Sequence, residues 1–347
     1  IGTGNVGKAF IKQLIQQFSF LKKHHQLNIK IIGIANSRQM QFHKDGIRLS
    51  KWESALAKGA KFSKEEFLKK MYSMNLRNSI FIDITASEQI ASVYDNILQK
   101  SISVVTPNKI AATAPYPDYI NLKASSKKFG SKFLFETNVC AGLPVISTLN
   151  DLIRSGDQVN QIEAVLSGTL VFLFNEYDGT TKFVDVIKKA KELGYTEPDP
   201  RLDLFGSDVK RKILILIRES GYQFEYDDIQ LESFIPQSCL DSSSLEDFYD
   251  KVEQEENHFK SLYENAQKNN ARLKVVATFK DGKGSVKLEE IDSTHPFYNL
   301  EGKDNIVLFY TNRYKEQPMV IKGAGAGAEV TASGIFADVL RIAQSDL

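Results

Sequence analysis

The sequence predicts an α/β fold: a doubly wound parallel sheet in its N-terminal part, followed by an α+β part with a mixed or antiparallel sheet. Three observations carry this. A glycine-rich turn, Gly2-Thr3-Gly4-Asn5-Val6-Gly7, opens into a segment with apolar residues at Val6, Phe10, Leu14, Ile15 and Phe18, the spacing of a helix face. Apolar runs of strand length then alternate with helical segments through residue 140. From residue 273 the pattern changes to four short strands, 273–279, 285–291, 305–310 and 319–321, with turns such as Asp281-Gly282 between them.

The glycine turn has the form G-x-G-x-x-G. It lets backbone approach a pyrophosphate, and the helix that follows offers its first N–H groups to the phosphates. Gly2, Gly4, Asn5, Val6 and Gly7 are therefore the expected phosphate-binding residues of a Rossmann-type unit. A lone glycine turn is a common feature, and the next strand adds weight. The run 29–35, IKIIGIA, ends at Asn36-Ser37-Arg38, where such a unit meets the adenine ribose. A carboxylate there suits NAD. A neutral residue with an arginine nearby suits a 2′-phosphate, so Asn36 and Arg38 predict NADP(H) over NAD(H). The polar stretch 22–28 lengthens the spacing from Gly7 as an insertion at the helix end. A strand should precede the glycine turn, but only Ile1 stands there. The first strand is expected to be missing, with the chain trimmed or forming the C-terminal part of a longer polypeptide.

Residues 40–78 read as surface helices and loops packed through Trp52 and Leu56. The strand 79–84, SIFIDI, delivers Thr85-Ala86-Ser87 to its carboxyl end, where open α/β sheets bind ligands; Thr85 and Ala86 are expected at the cofactor. A helix over 90–99 leads to a strand at 102–105, and Thr106-Pro107-Asn108-Lys109 stands at its end. Lys109 there serves a cofactor, a substrate carboxylate or the fold alone.

With 347 residues the chain is long enough for two domains with cores of their own. A net charge of +1 gives no reason to expect nucleic acid or an anionic membrane surface, and no apolar run reaches the length of a bilayer span. Cys140 and Cys239 make no disulfide framework, and the five histidines have no metal-ligand spacing. A reducing compartment is expected: the cytoplasm, or a plastid for a plant-type source.

The chemistry concentrates in 194–221, GYTEPDPRLDLFGSDVKRKILILIRESG. Glu197, Asp199, Asp203, Asp208 and Glu219 stand among Arg201, Lys210, Arg211, Lys212 and Arg218. Pro198 and Pro200 are expected to hold the first part extended. Ser207 is the expected N-cap of a helix with Asp208 in its first turn, and Gly221 its C-terminal stop. Asp208 and Lys212, at i and i+4, share a helix face. An isolated pair of this kind is usually a solvated salt bridge of little weight. Preceded by a stiff acidic loop, it suits a substrate that carries an ammonium and needs a proton donor.

This stretch resembles the signature of homoserine dehydrogenases, roughly G-Y-T-E-P-D-P-R-x-D-L-x-G-x-D-V-x-R-K. It departs from it at Leu202, where many members have Asp, and at Phe205, where many have Ser. Shorter motifs agree in order and spacing: V-T-P-N-K ending at Lys109, E-T-N-V-C-A-G-L-P from Glu136, S-G-T-L from Ser167, and the glycine-rich run from Gly323. The resemblance covers essentially the whole chain and is nearest to the dehydrogenase half of bifunctional aspartokinase–homoserine dehydrogenases, in which a kinase precedes Ile1.

The resemblance implies reversible reduction of L-aspartate 4-semialdehyde to L-homoserine by NADPH, in threonine and methionine biosynthesis. It puts Lys109 in the active site, with Ile110 where many relatives have a second Lys. Gly168 and Thr169 stand beside substrate and nicotinamide, and Glu197 and Asp208 at the substrate's ammonium or hydroxyl end. Asp203 supports the loop or Lys212, and Lys212 is the proton donor in reduction. An ordinary lysine, with a pKa of about 10.4, suits that role near neutrality. A monovalent cation, Na+ or K+, is implied at Glu136, Val139, Ala141 and Leu143. Cys140 replaces the family's usual glycine there, a strained choice if the position needs a positive φ. Gly327 caps the cofactor, and the terminal helix packs back on the dinucleotide domain. The implied domains are 1–140, completed by 327–347, and 141–326 for substrate binding, catalysis and assembly into a homodimer or higher homo-oligomer. The charged segment 245–271 reads as one surface helix. Two alternatives stay open: a catalytically silent nucleotide-binding module of an attached kinase, and a related dehydrogenase of another amino acid.

Overall fold

The protein is described by a computed structural model over residues 1–345, so the last two positions of the expected terminal helix lie outside the described residues. The chain divides into two compact units: Ile1–Gly142 with the segment from Gly327 onward, and Leu143–Ala326.

In the first unit the helix Asn5–His24 begins at Gly4 and buries Phe10, Ile11 and Leu14. Lys22, Lys23 and His24 fill its last turn, the favourable end of the helix dipole for basic residues. The helix Ala328–Ser345 packs against it through Ile335, Phe336, Val339 and Ile342. Phe10 and Phe336 meet edge-on with centroids 6.0 Å apart. The end of the described chain is thus part of the core that the first helix opens.

Two three-stranded sheets complete this unit. One comprises β1 (Gly33–Ala35), β2 (Gln39–Phe42) and β3 (Ala60–Lys61), all antiparallel. The other runs parallel in the order β4 (Ile80–Ile82), β5 (Ser103–Val105), β6 (Phe133–Leu134). The strand expected over 29–35 is paired only in its last three residues, and antiparallel. The reason is local: Asn36 Oδ1 accepts the N–H groups of Arg38 and Gln39, both at 2.8 Å, which sends the chain straight back as β2. Residues 40–78 accordingly contain β3 and part of β2 besides the helices Trp52–Ala57 and Lys64–Met74. The helix expected over 90–99 is two short ones, Glu88–Ala91 and Tyr94–Leu98. Ile1 and Gly2 lie between β1 and β4: Ile1 N donates to Ile82 O at 2.7 Å, Ile84 N to Ile1 O at 2.8 Å, and Gly2 N to Ala35 O at 2.9 Å. An apolar cavity of about 680 Å³ continues from them, lined by Leu14, Ile31, Ile34, Ile80, Ile82 and Ile342 among others.

The second unit is built on a six-stranded mixed sheet. Its strands are β7 (Val159–Val165), β8 (Ile229–Leu231), β9 (Arg272–Lys280), β10 (Lys283–Ile291), β11 (Asp304–Thr311) and β12 (Met319–Ala324). Their order is β12-β11-β7-β9-β10-β8, antiparallel throughout except for β10 with β8. The helix Ser207–Glu219 buries Ile213 through Ile217 without interruption, which accounts for the unbroken apolar run in its sequence. Its N-cap is Gly206, left-handed at φ +73°, and not Ser207, whose expected capping bond is not made. Before it the chain is non-helical to Asp199 and then forms a short helix, Arg201–Leu204, so Pro200 starts a turn of helix and does not prolong an extended segment. The charged segment 245–271 is two helices, Leu245–Gln254 and Glu256–Lys268. Their inner sides bury Phe248, Val252 and Phe259, and Phe259 stacks on Phe183 at 4.2 Å.

Candidate active site

Lys212 is fixed from two sides in the second unit. Its Nζ lies 2.7 Å from Asp208 Oδ2 and donates to the Leu166 carbonyl at 2.8 Å. The Lys212 side chain is 13% exposed and that of Asp208 45%, so the pair opens to solvent on the carboxylate side. Leu166 ends the run that leaves β7, and Ser167 then caps the helix Gly168–Glu176 by accepting from Leu170 N at 3.2 Å. The same Leu166 carbonyl accepts from Asn305 Nδ2 at 3.2 Å. Asn305 is 1% exposed and lies against Gly325, where a Cβ atom would come within 2.1 Å of the amide. Gly168 is equally constrained, since a Cβ there would stand 2.8 Å from Lys303 O.

The acidic loop is organised by Asp203. Its Oδ2 accepts from Glu197 N at 2.8 Å, and its Oδ1 lies 3.4 Å from Thr169 Oγ1. Thr169 Oγ1 donates to Tyr195 O at 2.6 Å. Burial pushes the Asp203 carboxyl up, and the charges of Glu197 and Asp208 push in the same direction. Asp203 is thus bonded to the backbone of the acidic loop at Glu197. Glu197 contributes its backbone N–H to this network and leaves its exposed residue surface to solvent. Asp199 is taken by Arg201, whose guanidinium hydrogen bonds hold that carboxyl below its usual range. Sequence reasoning missed Asn305, the Leu166 carbonyl and the Tyr195 carbonyl.

The first unit holds the other expected residues. Gly2, at φ +100°, and Gly7 are glycines by necessity: a Cβ would lie 2.4 Å from Ile84 O and 2.2 Å from Gly2 O, respectively. At Gly4 a Cβ would meet nothing within 4 Å, so the space around it does not itself demand a glycine there. Arg38 is exposed at the tip of the turn that Asn36 shapes. Thr85 N donates to Asp83 Oδ1 at 2.9 Å, and Thr85 Oγ1 accepts from Ser87 N at 3.1 Å; Ala86 is exposed between them. Lys109, half-buried, follows β5, and Gly327, at φ +123°, precedes the last helix.

Glu136 is 3% exposed, and its Oε2 accepts from Arg341 at 3.0 Å, while Asp338 accepts from Glu136 N. Burial raises the Asp338 carboxyl to about 6. Cys140 and Ala141 take φ +58° and +51° in succession, so Cys140, expected to be strained if its position needs a positive φ, does stand in the left-handed region. Cys140 and Cys239 are both buried, and neither forms a disulfide. Among the described residues no group of three or more His, Cys, Asp or Glu could hold a metal ion, and no helix is long and apolar enough to cross a membrane.

A unit with a parallel sheet and a glycine turn at a helix N-terminus, and a mixed-sheet unit with an anchored lysine, give the architecture of the two-domain dinucleotide-binding class. Comparison with known proteins narrows it. The homoserine dehydrogenase NAD-binding domain matches residues 2–136, and the homoserine dehydrogenase domain matches 144–340. The chain belongs to the homoserine dehydrogenase family. It is 39% identical over 347 residues to the chloroplastic bifunctional aspartokinase/homoserine dehydrogenase 1 of Arabidopsis thaliana, with 99% of this chain and 38% of that protein covered. The chain therefore spans well under half the length of the bifunctional relatives it matches. It is 37% identical to the homoserine dehydrogenase of Schizosaccharomyces pombe, covering 99% of this chain and 94% of that one. Among solved structures, a Candida auris protein of unknown function superposes with a TM-score of 0.90 at 35% identity, covering 99% and 97% of the two chains. A hyperthermophilic archaeal homoserine dehydrogenase in complex with NADPH shares the fold, with a TM-score of 0.76 at 24% identity, over 99% and 96% of the two chains.

Proposed function

We propose that this chain reduces L-aspartate 4-semialdehyde to L-homoserine with NADPH, reversibly. The observation that carries the reading is the Lys212 ammonium, fixed between Asp208 and the Leu166 carbonyl at the head of the Ser167–Thr169 turn. Lys212 gives the carbonyl oxygen its proton in reduction and takes it back in oxidation. Asp208 and Glu197 hold the ammonium end of the substrate by charge, and Asp203 keeps the Glu197 segment in place through its backbone N–H. Bound NADPH supplies the hydride. Gly2, Gly4 and Gly7 shape the turn that receives its pyrophosphate. Thr85, Ala86, Lys109 and Gly327 belong to the same cofactor reading, and Lys109 is also a catalytic residue of the active site beside Lys212 and Asp208. Arg38 selects NADP over NAD through the 2′-phosphate, with Asn36 holding its turn.

A monovalent cation on the oxygens of Glu136, Val139 and Ala141 is part of the proposal, with one Glu136 oxygen shared with Arg341. So are homo-oligomerisation, fusion to an aspartokinase as in the bifunctional relatives, and a cytoplasmic or plastid location. The test is steady-state oxidation of NADPH and of NADH by the purified chain with L-aspartate 4-semialdehyde. Rapid turnover with NADPH is expected. Preference for NADH would overturn the role of Arg38. Absence of turnover with cofactor bound would favour a silent nucleotide-binding module or another substrate.

A further inference from the structure

The ends of β4 and β5 are tied together by a buried polar network that the reaction as described leaves unused. The two strands are parallel neighbours, with Ile82 opposite Val105. Asp83, directly after β4, is 0% exposed. Its Oδ1 accepts from Thr85 N at 2.9 Å, and its Oδ2 accepts from the Tyr94 hydroxyl and, at 3.2 Å, from Asn108 Nδ2. Asn108, itself 4% exposed, donates from the same Nδ2 to Ser87 O at 3.1 Å. Its backbone N–H donates to Thr106 Oγ1 at 2.9 Å, and its Oδ1 accepts from Ile110 N at 3.1 Å.

Lys109 is thereby held on both sides. The residue before it and the residue after it are bonded through one side chain, and its own carbonyl accepts from Thr113 N and Thr113 Oγ1, each at 2.9 Å. A parallel strand pair does not need a buried carboxylate to form, and burying one is unfavourable unless every oxygen is satisfied. Here two of the three donors that satisfy it, Thr85 N and Asn108 Nδ2, come from the loops that follow β4 and β5, and the third, the Tyr94 hydroxyl, comes from the helix Tyr94–Leu98. We infer that Asp83 and Asn108 are positioning residues that fix the backbone from which the Lys109 side chain reaches the reacting groups.

The inference rests on the reading of Lys109 as an active-site residue, and a double-mutant cycle separates the two. Asn108→Ala is measured in the natural background and in Lys109→Gln, with kcat and KM for both substrates and the melting temperature. Misplacing a catalytic group by a fraction of an ångström is costly, so Asn108→Ala is expected to lower kcat about tenfold or more when Lys109 is present. It should lower kcat by less than about twofold when Lys109 is absent. Tyr94→Phe removes the phenol's bond to Asp83 but leaves the Asn108 link; it is expected to lower the melting temperature with kcat within about twofold of the natural chain. Lys109→Gln with undiminished kcat would remove the reading and the inference together. An impaired Lys109→Gln to which Asn108→Ala adds its full loss would keep Lys109 in the active site and overturn the inference, as would an equal kcat loss in Tyr94→Phe. If Asn108→Ala folds poorly, Asn108→Ser carries the same comparison.

Discussion

A Cβ atom at Gly325 would lie 2.1 Å from the side-chain amide carbon of Asn305, so the two residues occupy one space only because the first is glycine. Asn305 in turn shares the Leu166 carbonyl with Lys212. Gly325→Ala must therefore displace Asn305 and disturb the anchor of Lys212, the proposed proton donor. Overpacking of this kind costs about 1–3 kcal/mol. The expected outcome is a fall in kcat of about tenfold, larger than the change in KM for NADPH, measured by steady-state kinetics beside a melting curve.

Lys212→Ala removes the proposed donor and its ion pair with Asp208. Loss of a general acid typically costs about 10²–10⁴ in rate. Turnover should fall into that range while NADPH affinity, read by fluorescence titration, changes little. Retention of most of the natural rate would exclude Lys212 as donor.

Arg38→Ala tests the cofactor preference. A charge-assisted hydrogen bond to a phosphate contributes about 1.5–3 kcal/mol, or about ten- to a hundredfold in affinity. KM for NADPH should rise by about that factor and KM for NADH should stay within about twofold. Equal losses with both would count against a 2′-phosphate contact.

Lys274 gives a pH dependence of stability with a definite sign. It is 1% exposed, and its ammonium donates to Asn175 Oδ1 at 2.5 Å and Leu300 O at 3.1 Å, both neutral oxygens. Burial lowers its pKa to about 8, Arg272 adds to the effect, and Glu301 opposes it. An unfolded lysine titrates at about 10.4. Between those values the unfolded chain binds more protons than the native one, so this group makes the protein more stable as pH rises through that window. In urea titrations at pH 7 and pH 10, the stability of the natural chain relative to Lys274→Met should shift in favour of the natural chain at the higher pH. A pH-independent difference would contradict the buried, charged assignment.

Much of this was readable in the residues, and the failures have physical causes. The β9–β12 strands are short runs set off by turns, and Asp208 and Lys212 are four apart on a helix, so both are local signals. Asn305 is 93 residues from Lys212, and Leu166 contributes only a carbonyl, which no residue type announces. Asn36 was read for what it lacks, a carboxylate, whereas its amide oxygen also closes the turn that makes β2 antiparallel to β1. The break at Glu255 between two helices carries no Gly or Pro, and β8 is three residues long, too short for periodicity to mark. Cys140 illustrates the converse: a motif position where glycine is usual carried the expectation of positive φ, and the backbone takes it with a side chain present.

The return of the helix Ala328–Ser345 to the first unit sets an order on biosynthesis. Residues 143–326 form a contiguous unit that can close as soon as it leaves the ribosome. The unit that begins first in the chain cannot finish its core until Phe336 arrives to meet Phe10, more than three hundred residues later. The nascent nucleotide-binding half must therefore wait, with the apolar face of its first helix uncovered, while its younger neighbour folds. A chaperone that shields apolar helices would find its client there, and translation halted before the last helix would release a chain with a folded second unit and an open first one.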